Sequence, residues 1–196
     1  MIEKLAESLV AWQVKKHYLL EKDRNLYTYA YELLIGQAVN VLIACLLAVL
    51  LDACLIVFVF LASFFPLRSY AGGHHADNFN ICTIISTLIV CMVCIASKVI
   101  PLEAVLSVSI TAGIVSGGLI YKWAPVEDHN KPLSAAEKKQ YRKKSILIWM
   151  IECIIWIMSY WIGARDISLA IALGHSSVSA LLCAGVIKNK FFRKNA

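Results

Sequence analysis

One polar stretch of the chain carries residues whose types and spacing could support nucleophilic catalysis. It reads Arg-Ser-Tyr-Ala-Gly-Gly-His-His-Ala-Asp-Asn-Phe-Asn-Ile-Cys over 68–82 and lies between two apolar segments. A thiol attacks as its thiolate, and a nearby imidazole can accept its proton or carry it as imidazolium. His75 and Cys82 are the candidate pair. The alternative is a hydrated loop in which Cys82 only packs.

The spacing of this pair predicts a bend in the chain. On one straight helix His75 and Cys82 would share a face, but they would lie about 10 Å apart along the axis, too far for a hydrogen bond. Gly72-Gly73 and Asp77-Asn78 are residue types that favour turns. A working pair therefore needs the chain to turn close to these positions.

Metal chemistry fits the same stretch poorly. His74 and His75 with Asp77 could supply ligands, but adjacent side chains point in different directions. The chain has neither a His-Glu-x-x-His motif nor paired Cys-x-x-Cys motifs. One Cys-x-x-Cys, Cys91 to Cys94, lies inside an apolar segment, which favours helix packing. No Gly-x-Ser-x-Gly motif is present either, and we expect no metal and no cofactor.

The composition indicates the kind of protein that holds this stretch. Of 196 residues, 60% are hydrophobic and 16% are charged, and the mean hydropathy is +0.70. Soluble domains have about 45–50% apolar and about 25% charged residues, and a soluble core in so short a chain cannot cover this much apolar surface. An ordinary soluble domain, a disordered chain and a nucleic-acid binder are excluded. An integral membrane protein remains.

Apolar segments predict the elements that position the polar stretch. A membrane-spanning helix needs about 20 residues, and five segments have that length. The second is only 14 residues long, so it must extend to Tyr70, tilt little, or enter the membrane without crossing it. The predicted fold class is an all-α integral membrane protein with about six transmembrane helices. The segments are 33–51, 54–67, 81–100, 104–121, 146–163 and 167–187.

The basic residues predict the orientation of these spans. With six spans, 17 Lys and Arg residues fall on one side of the membrane and 2 on the other. Because basic residues concentrate on the cytoplasmic side, we expect both termini and the loops 68–80 and 122–145 to be cytoplasmic. An odd number of spans would divide the basic termini between the two sides. The expected organisation is a single membrane domain over 1–196, with an arm over 1–32, a six-span bundle over 33–187 and a basic tail over 188–196.

The N-terminal arm has the pattern of an amphipathic helix. Ile2, Leu5, Leu9 and Trp12 are spaced three, four and three residues apart, which places them on one helical face. One interpretation is a helix that lies in the membrane interface. The other is a helix packed on the protein's own loops.

Three polar side chains, Gln37, Glu152 and His175, lie within apolar segments. Ionisable groups in a membrane are costly and often functional, but hydrogen bonds between helices would also explain them. Small residues form a second pattern in the fourth segment, which predicts close helix packing. They are Gly113, Gly117 and Gly118.

The residues of the polar stretch resemble those of a known family, AgrB, the membrane endopeptidase of accessory-gene-regulator quorum sensing. The resemblance rests on Arg68, Gly72-Gly73, His75 and Cys82 at fixed spacing. The sequence Ala-Pro-Val-Glu-Asp-His-Asn-Lys-Pro-Leu over 124–133, and the basic run after it, are similar to the cytosolic loop of that family. Length and span count also fit, so the resemblance covers nearly the whole chain.

The resemblance implies a cysteine endopeptidase in the bacterial cell membrane, which is expected to be a homodimer. Cys82 would be the nucleophile and His75 its base, with Arg68, Gly72 and Gly73 as supporting residues and His74 at a variable position. The substrate would be an AgrD-like propeptide with an amphipathic N-terminus and an acidic C-terminal tail. The enzyme would remove the tail, retain the remainder as a thioester and promote closure of a thiolactone or lactone ring.

A basic run before the fifth span could contribute to substrate binding. Its members are Lys138, Lys139, Arg142, Lys143 and Lys144. A positive cluster suits an acidic peptide tail, although such runs also anchor the chain near acidic headgroups.

Two other kinds of function remain open on the sequence. A small transporter or channel would use Glu152 and His175 to line a path through the membrane. A scaffold or sensor without catalysis would dock a partner on the basic loop.

Overall fold

A computed structural model describes residues 2–73, 79–127 and 133–195. Within these ranges the chain folds into seven α-helices and contains no β-strand. Two short 3₁₀ turns, Glu21–Asp23 and Leu102–Ala104, lead into α2 and α5. The helices are α1 Ile2–Lys15, α2 Arg24–Leu50, α3 Cys54–Ala71, α4 Phe79–Val99, α5 Val105–Trp123, α6 Ala135–Trp161 and α7 Arg165–Asn195.

Six helices, α2 to α7, are long and apolar enough to cross a membrane. This confirms the predicted fold class, an all-α membrane protein with six candidate spans and a helix before them. Of the alternatives for the short second segment, the structure shows the extension, because α3 continues past Tyr70 to Ala71 and reaches 18 residues. At the helical rise, 18 residues measure about 27 Å, close to the roughly 30 Å of a bilayer's hydrocarbon core.

The helices run past the apolar segments at their polar ends. The sequence predicts a loop over 122–145, whereas α6 already begins at Ala135. A capping box explains this start, because the Ser134 side chain accepts from the Glu137 backbone and the Glu137 side chain accepts in return. Lys, Arg and Gln are good helix formers, so the basic run continues the helix. The predicted basic tail, 188–196, is likewise helical through Asn195.

The helix α7 is the central element of the bundle. It packs against α3, α4, α5 and α6, and half of its most apolar stretch is buried. One apolar cluster joins α2, α3 and α4 to Ala170 of α7. A second cluster lies toward the opposite end of α7, and it includes Leu67, Ala71, Ile120, Val126, Val178 and Leu182.

Small residues allow some of these helices to approach closely. A Cβ added at Gly117 would overlap the Trp149 ring of α6, and one added at Gly174 would overlap the Ser63 hydroxyl of α3. Gly113 lies at ordinary contact distance from Trp156. Gly118, in contrast, has open space around it, so the predicted small-residue packing holds for two of the three glycines of α5.

Buried polar groups link α5, α6 and α7. The Glu152 carboxylate lies 2.9 Å from His175 Nε2, and both side chains are buried. Trp149 Nε1 donates to the Ser116 hydroxyl at 3.0 Å. Glu152 and His175 therefore form a hydrogen bond between α6 and α7, which agrees with the sequence interpretation that such polar residues link helices.

The N-terminal helix α1 packs on α2 through a face other than the predicted apolar one. Ala6 and Val10 are buried, and Gln13 Nε2 donates to the Tyr31 hydroxyl at 2.7 Å. Leu5, Leu9 and Trp12 stay exposed. A free apolar stripe is what a helix lying in a membrane interface presents, so this arrangement favours the interfacial interpretation.

Candidate functional site

Cys82 lies in the first turn of α4 and is partly exposed. It lines a cavity of about 760 Å³ whose wall comes mainly from α2, α3 and α4. Arg68 and Gly72, two of the predicted supporting residues, line the same cavity. The fold thus brings these residues to one place, at the end of the bundle where α3 stops and α4 starts.

The turn after α3 has the backbone conformation that the glycine pair predicts. Gly72 and Gly73 have φ angles of 73° and 122°, a region that side-chain-bearing residues rarely adopt. Arg68 Nη1 donates to the Gly72 carbonyl oxygen. A Cβ at Gly73 would lie 2.7 Å from the Leu181 carbonyl oxygen and 2.8 Å from Arg68 Nη1. The turn therefore needs glycine for its conformation and for its close approach to α7.

This turn pairs with the connection between α5 and α6. Val126 N donates to the Ala71 oxygen at 2.9 Å, and Gly73 N donates to the Val126 oxygen at 3.3 Å. The pairing joins the two segments that carry the family resemblance. Both connections consequently lie at the same end of the bundle.

Glu127 stabilises the connection between α5 and α6. Its Oε1 accepts from the Leu133 backbone N–H at 2.9 Å and lies 3.0 Å from Lys138 Nζ. Its carbonyl oxygen accepts from Asn189 Nδ2 at 2.9 Å, which places the C-terminal part of α7 at this end as well. Glu127 also lines the cavity, so these contacts fix part of the cavity wall.

His74 and His75 lie in 74–78, outside the described residues. Cys82, Arg68, Gly72 and Gly73 are therefore the members of the predicted set that the structure locates. Within 2–73, 79–127 and 133–195, no three His, Cys, Asp or Glu side chains come together as a metal-binding group.

The basic run divides into engaged and unengaged side chains. Lys138 pairs with Glu127, and Arg142 Nη2 donates to the Tyr121 oxygen at 2.6 Å. Lys144 Nζ lies 4.8 Å from the centre of the Tyr70 ring, a cation–π contact beside the cavity. Lys139 and Lys143 form no hydrogen bond or ion pair with the described part of the chain, so these two are the ones open to a partner.

Glu152 and His175 are buried in the core of the bundle and are not part of the cavity at Cys82. Neither lines the cavity at Cys82 or the groove of about 450 Å³ between α5 and α7. Their side chains face each other in the core. The pair therefore contributes nothing to the wall of the cavity at Cys82.

Sequence reasoning missed several cavity residues. Asn40, Tyr141 and Val126 all line the space beside Cys82, yet they come from α2, α6 and a loop. Asn40 is a polar residue in an apolar span, which was a usable signal. Nothing in the sequence pairs Val126 with Gly72.

These features define a class: a polytopic α-helical membrane protein with a cysteine beside a cavity at one end of its bundle. The sequence matches the family model Accessory gene regulator B, AgrB, over residues 2–183. The chain therefore belongs to the AgrB family, which gives it a role in the accessory-gene-regulator quorum-sensing system, with an AgrD-like substrate and a membrane setting.

Two curated proteins of Clostridium perfringens are similar to the chain. They are named "Putative AgrB-like protein 2", from strain 13, and "Putative AgrB-like protein", from strain SM101. Each is 26% identical over 190 residues, which cover 89% of this chain and 87% of the relative. No solved structure matches the chain.

Proposed function

We propose that the chain is a cysteine endopeptidase that removes the C-terminal tail of an AgrD-like propeptide and promotes ring closure of the remainder. The observation that carries the proposal is the position of Cys82 in a cavity beside Arg68 and the Gly72-Gly73 turn, in a chain of the AgrB family. Cys82 is the nucleophile and His75 the base in this proposal.

The chemistry proceeds in two acyl transfers. His75 takes the Cys82 proton, the thiolate attacks the scissile carbonyl, and the C–N bond breaks as the leaving amine receives a proton. The tail leaves, and the rest of the peptide stays on Cys82 as a thioester. A thiol or hydroxyl within the peptide then attacks the thioester carbonyl, which closes the ring and returns the Cys82 thiol.

Arg68 and the glycines act as positioning residues in this scheme. Arg68 donates to the Gly72 oxygen, and the Gly73 amide pairs with Val126. These contacts fix the direction in which the chain leaves α3 toward 74–78. They support a role in orienting the segment that contains the proposed base.

Cleavage assays with single variants test the proposal. Cys82→Ala and Cys82→Ser should abolish processing of a co-expressed AgrD-like propeptide, because a hydroxyl is a far weaker nucleophile at neutral pH. His75→Ala should be nearly as severe and His74→Ala milder. Membrane insertion of each variant is the control. Processing by Cys82→Ala at the parent rate would refute the assignment, and the reverse order of the two histidine variants would move the base to His74.

The setting of the site is also part of the proposal. The charge asymmetry of 17 to 2 basic residues supports a cytoplasmic location for both termini and for the end of the bundle that holds Cys82. We further propose a homodimer as the working unit, on family membership alone. Chemical crosslinking in native membranes tests this point, and recovery of the monomer alone would contradict it.

For the acidic tail of the substrate we propose the basic run of α6 as the binding surface. Lys139 and Lys143 are its available members, whereas Lys138 is held by Glu127. Single exposed pairs contribute only about 0–1 kcal/mol, and salt screens them. Lys139→Gln with Lys143→Gln should slow cleavage of an acidic-tailed propeptide at low salt but not that of a version with amidated acids. Equal rates with the parent protein would make the run an anchor only.

A further inference from the structure

The cavity at Cys82 extends far beyond the thiol. On α2 its wall runs from Tyr29 to Ala44, about 22 Å at the helical rise. On α4 the wall runs from Cys82 to Val90. Its volume of about 760 Å³ lies within the range of roughly 300–1,000 Å³ typical of ligand sites. A space of this size accommodates several residues of a peptide.

Most of the described wall of the cavity is apolar, and its charged residues lie at the end of the bundle that holds the Gly72 turn. Among the described residues, the charged side chains that line it are Arg68, in the last turn of α3, and Glu127, in the α5–α6 connection. The rest of the described wall consists mainly of aromatic and aliphatic side chains. They include Phe60, Leu61, Phe64, Phe65, Ile85 and Ile89.

Cys82 gives direct access to this apolar part. Ser86 lies one helical turn after Cys82, on the same face of α4, and both residues line the cavity. A group attached to the Cys82 sulfur can therefore lie against the wall that continues past Ser86. A tail that leaves toward the end of the bundle at the Gly72 turn would instead pass Arg68 and Glu127.

A polar group in the wall favours a peptide over a lipid chain as the occupant. Asn40 lines the cavity, and its Oδ1 is buried without a hydrogen-bond partner among the described residues. Buried polar atoms in folded proteins nearly always have a partner. The N–H groups of a peptide backbone can donate to this amide oxygen, whereas a lipid acyl chain has no donor.

We propose that the cavity binds the acyl side of the substrate, the residues just before the scissile bond, and selects bulky apolar side chains there. The inference rests on the proposed function, because it takes Cys82 as the acyl carrier. Filling the cavity with apolar side chains also keeps water from the thioester until the internal nucleophile attacks. The chain thus selects the part of the peptide that it retains, while the departing tail contributes little to this site.

Thioester exchange tests the inference without requiring cleavage or His75. The full-length protein keeps Cys82 as its single cysteine and is placed in phosphatidylcholine nanodiscs. The probes are two hexapeptide benzyl thioesters that differ only in their last two residues, Phe-Leu or Gln-Ser. The probe's carbonyl–sulfur bond breaks as a carbonyl–sulfur bond to Cys82 forms, and the leaving benzyl thiolate takes the Cys82 thiol proton to become benzyl mercaptan. Intact-protein mass spectrometry measures the rate.

We expect the Phe-Leu probe to acylate Cys82 at least tenfold faster than the Gln-Ser probe. Ser86→Phe should remove this preference because it fills the apolar part, and Val41→Phe on α2 should do the same if Ser86→Phe does not fold. Alkylation by iodoacetamide should stay unchanged in both. Leu88→Phe, at an exposed position of α4, is the matched control and should keep the preference. Each probe partitions into the nanodisc to the same extent whichever variant is present, so partitioning does not explain a preference that only the filling variants lose.

Each other outcome is decisive. Equal rates for the two probes, or a preference that survives both filling variants, would overturn the inference and leave the proposed function intact. A phospholipid that co-purifies with the parent protein, is lost in Ser86→Phe and blocks both probes would assign the cavity to lipid and overturn it too. Failure of both probes and of iodoacetamide to modify Cys82 would contradict the proposed function as well.

Discussion

Gly73 links the backbone of the site to the core of the bundle. Its φ of 122° and its contacts with Leu181 and Arg68 leave no room for a side chain. The residue therefore has two separate reasons to be glycine, one conformational and one steric. Gly163, in the turn between α6 and α7, has a φ of 83° but nothing near its Cβ position, so it has only the first.

This difference gives a prediction at the scale of the residue. Strain at such a φ costs about 1–3 kcal/mol, so Gly163→Ala should lower the free energy of unfolding by that amount and leave processing intact. Gly73→Ala should lose processing as well, because relief of the overlap moves Arg68 or α7. Propeptide cleavage and denaturant unfolding in detergent measure the two effects. Equal cleavage by both variants would show that the crowding at Gly73 has no role.

At the scale of the element, the packing of α5 against α6 includes a tight contact between Gly117 and the Trp149 ring. Ala at Gly117 would overlap the Trp149 ring, and overpacking of this kind costs about 1–3 kcal/mol. Ala at the neighbouring Gly118 meets nothing and gains about 1 kcal/mol of helix propensity. Thermal unfolding should therefore show Gly117→Ala below and Gly118→Ala at or above the parent. The reverse order would mean that α5 presents its other face to α6.

The Glu152–His175 contact gives a second prediction about the elements. Glu152→Leu leaves the fully buried His175 without its partner, and an unpaired buried polar group costs about 1–3 kcal/mol. Replacing both residues with Leu should recover most of that loss. Denaturant unfolding of the three variants measures the coupling. If the single variant is as stable as the parent but inactive, the pair has a functional role that the packing does not explain.

How far the sequence predicts the structure differs between the elements and the site. Six spans follow from hydropathy because each apolar run must be covered by lipid or by another helix. The start of α6 does not follow, since its first residues are polar, although Ser134 and Glu137 form a capping box that can be read in the sequence. The Gly72–Val126 pairing and the cavity wall at Asn40 need the three-dimensional packing, because no local pattern links residues so distant in the chain.

At the scale of the whole molecule, the segments around the candidate site lie at one end of the bundle. The turn at Gly72, the connection at Val126 and the C-terminal part of α7 at Asn189 meet there. The turn after α6 at Gly163 belongs to the opposite end, because α6 separates it from Ser134. This arrangement and the distribution of basic residues together predict that the end holding Cys82 faces the cytoplasm.

Thiol labelling in intact cells tests this orientation. In a background without other reactive cysteines, Asn78→Cys and Ser134→Cys should resist an impermeant maleimide until the cells are opened. Gly163→Cys should react from outside. The positive-inside rule is the reason for this expectation. Labelling of the first two probes in intact cells would invert the proposed topology.

The most direct test of the central claim is to observe the acyl-enzyme. Parent protein mixed briefly with an AgrD-like propeptide and quenched in acid should gain the mass of the propeptide without its tail, less one water. Hydroxylamine should remove this adduct, digestion should locate it on the peptide that contains Cys82, and Cys82→Ala should never form it. Tail release without an adduct on Cys82, or an adduct that persists in Cys82→Ala, would contradict the account.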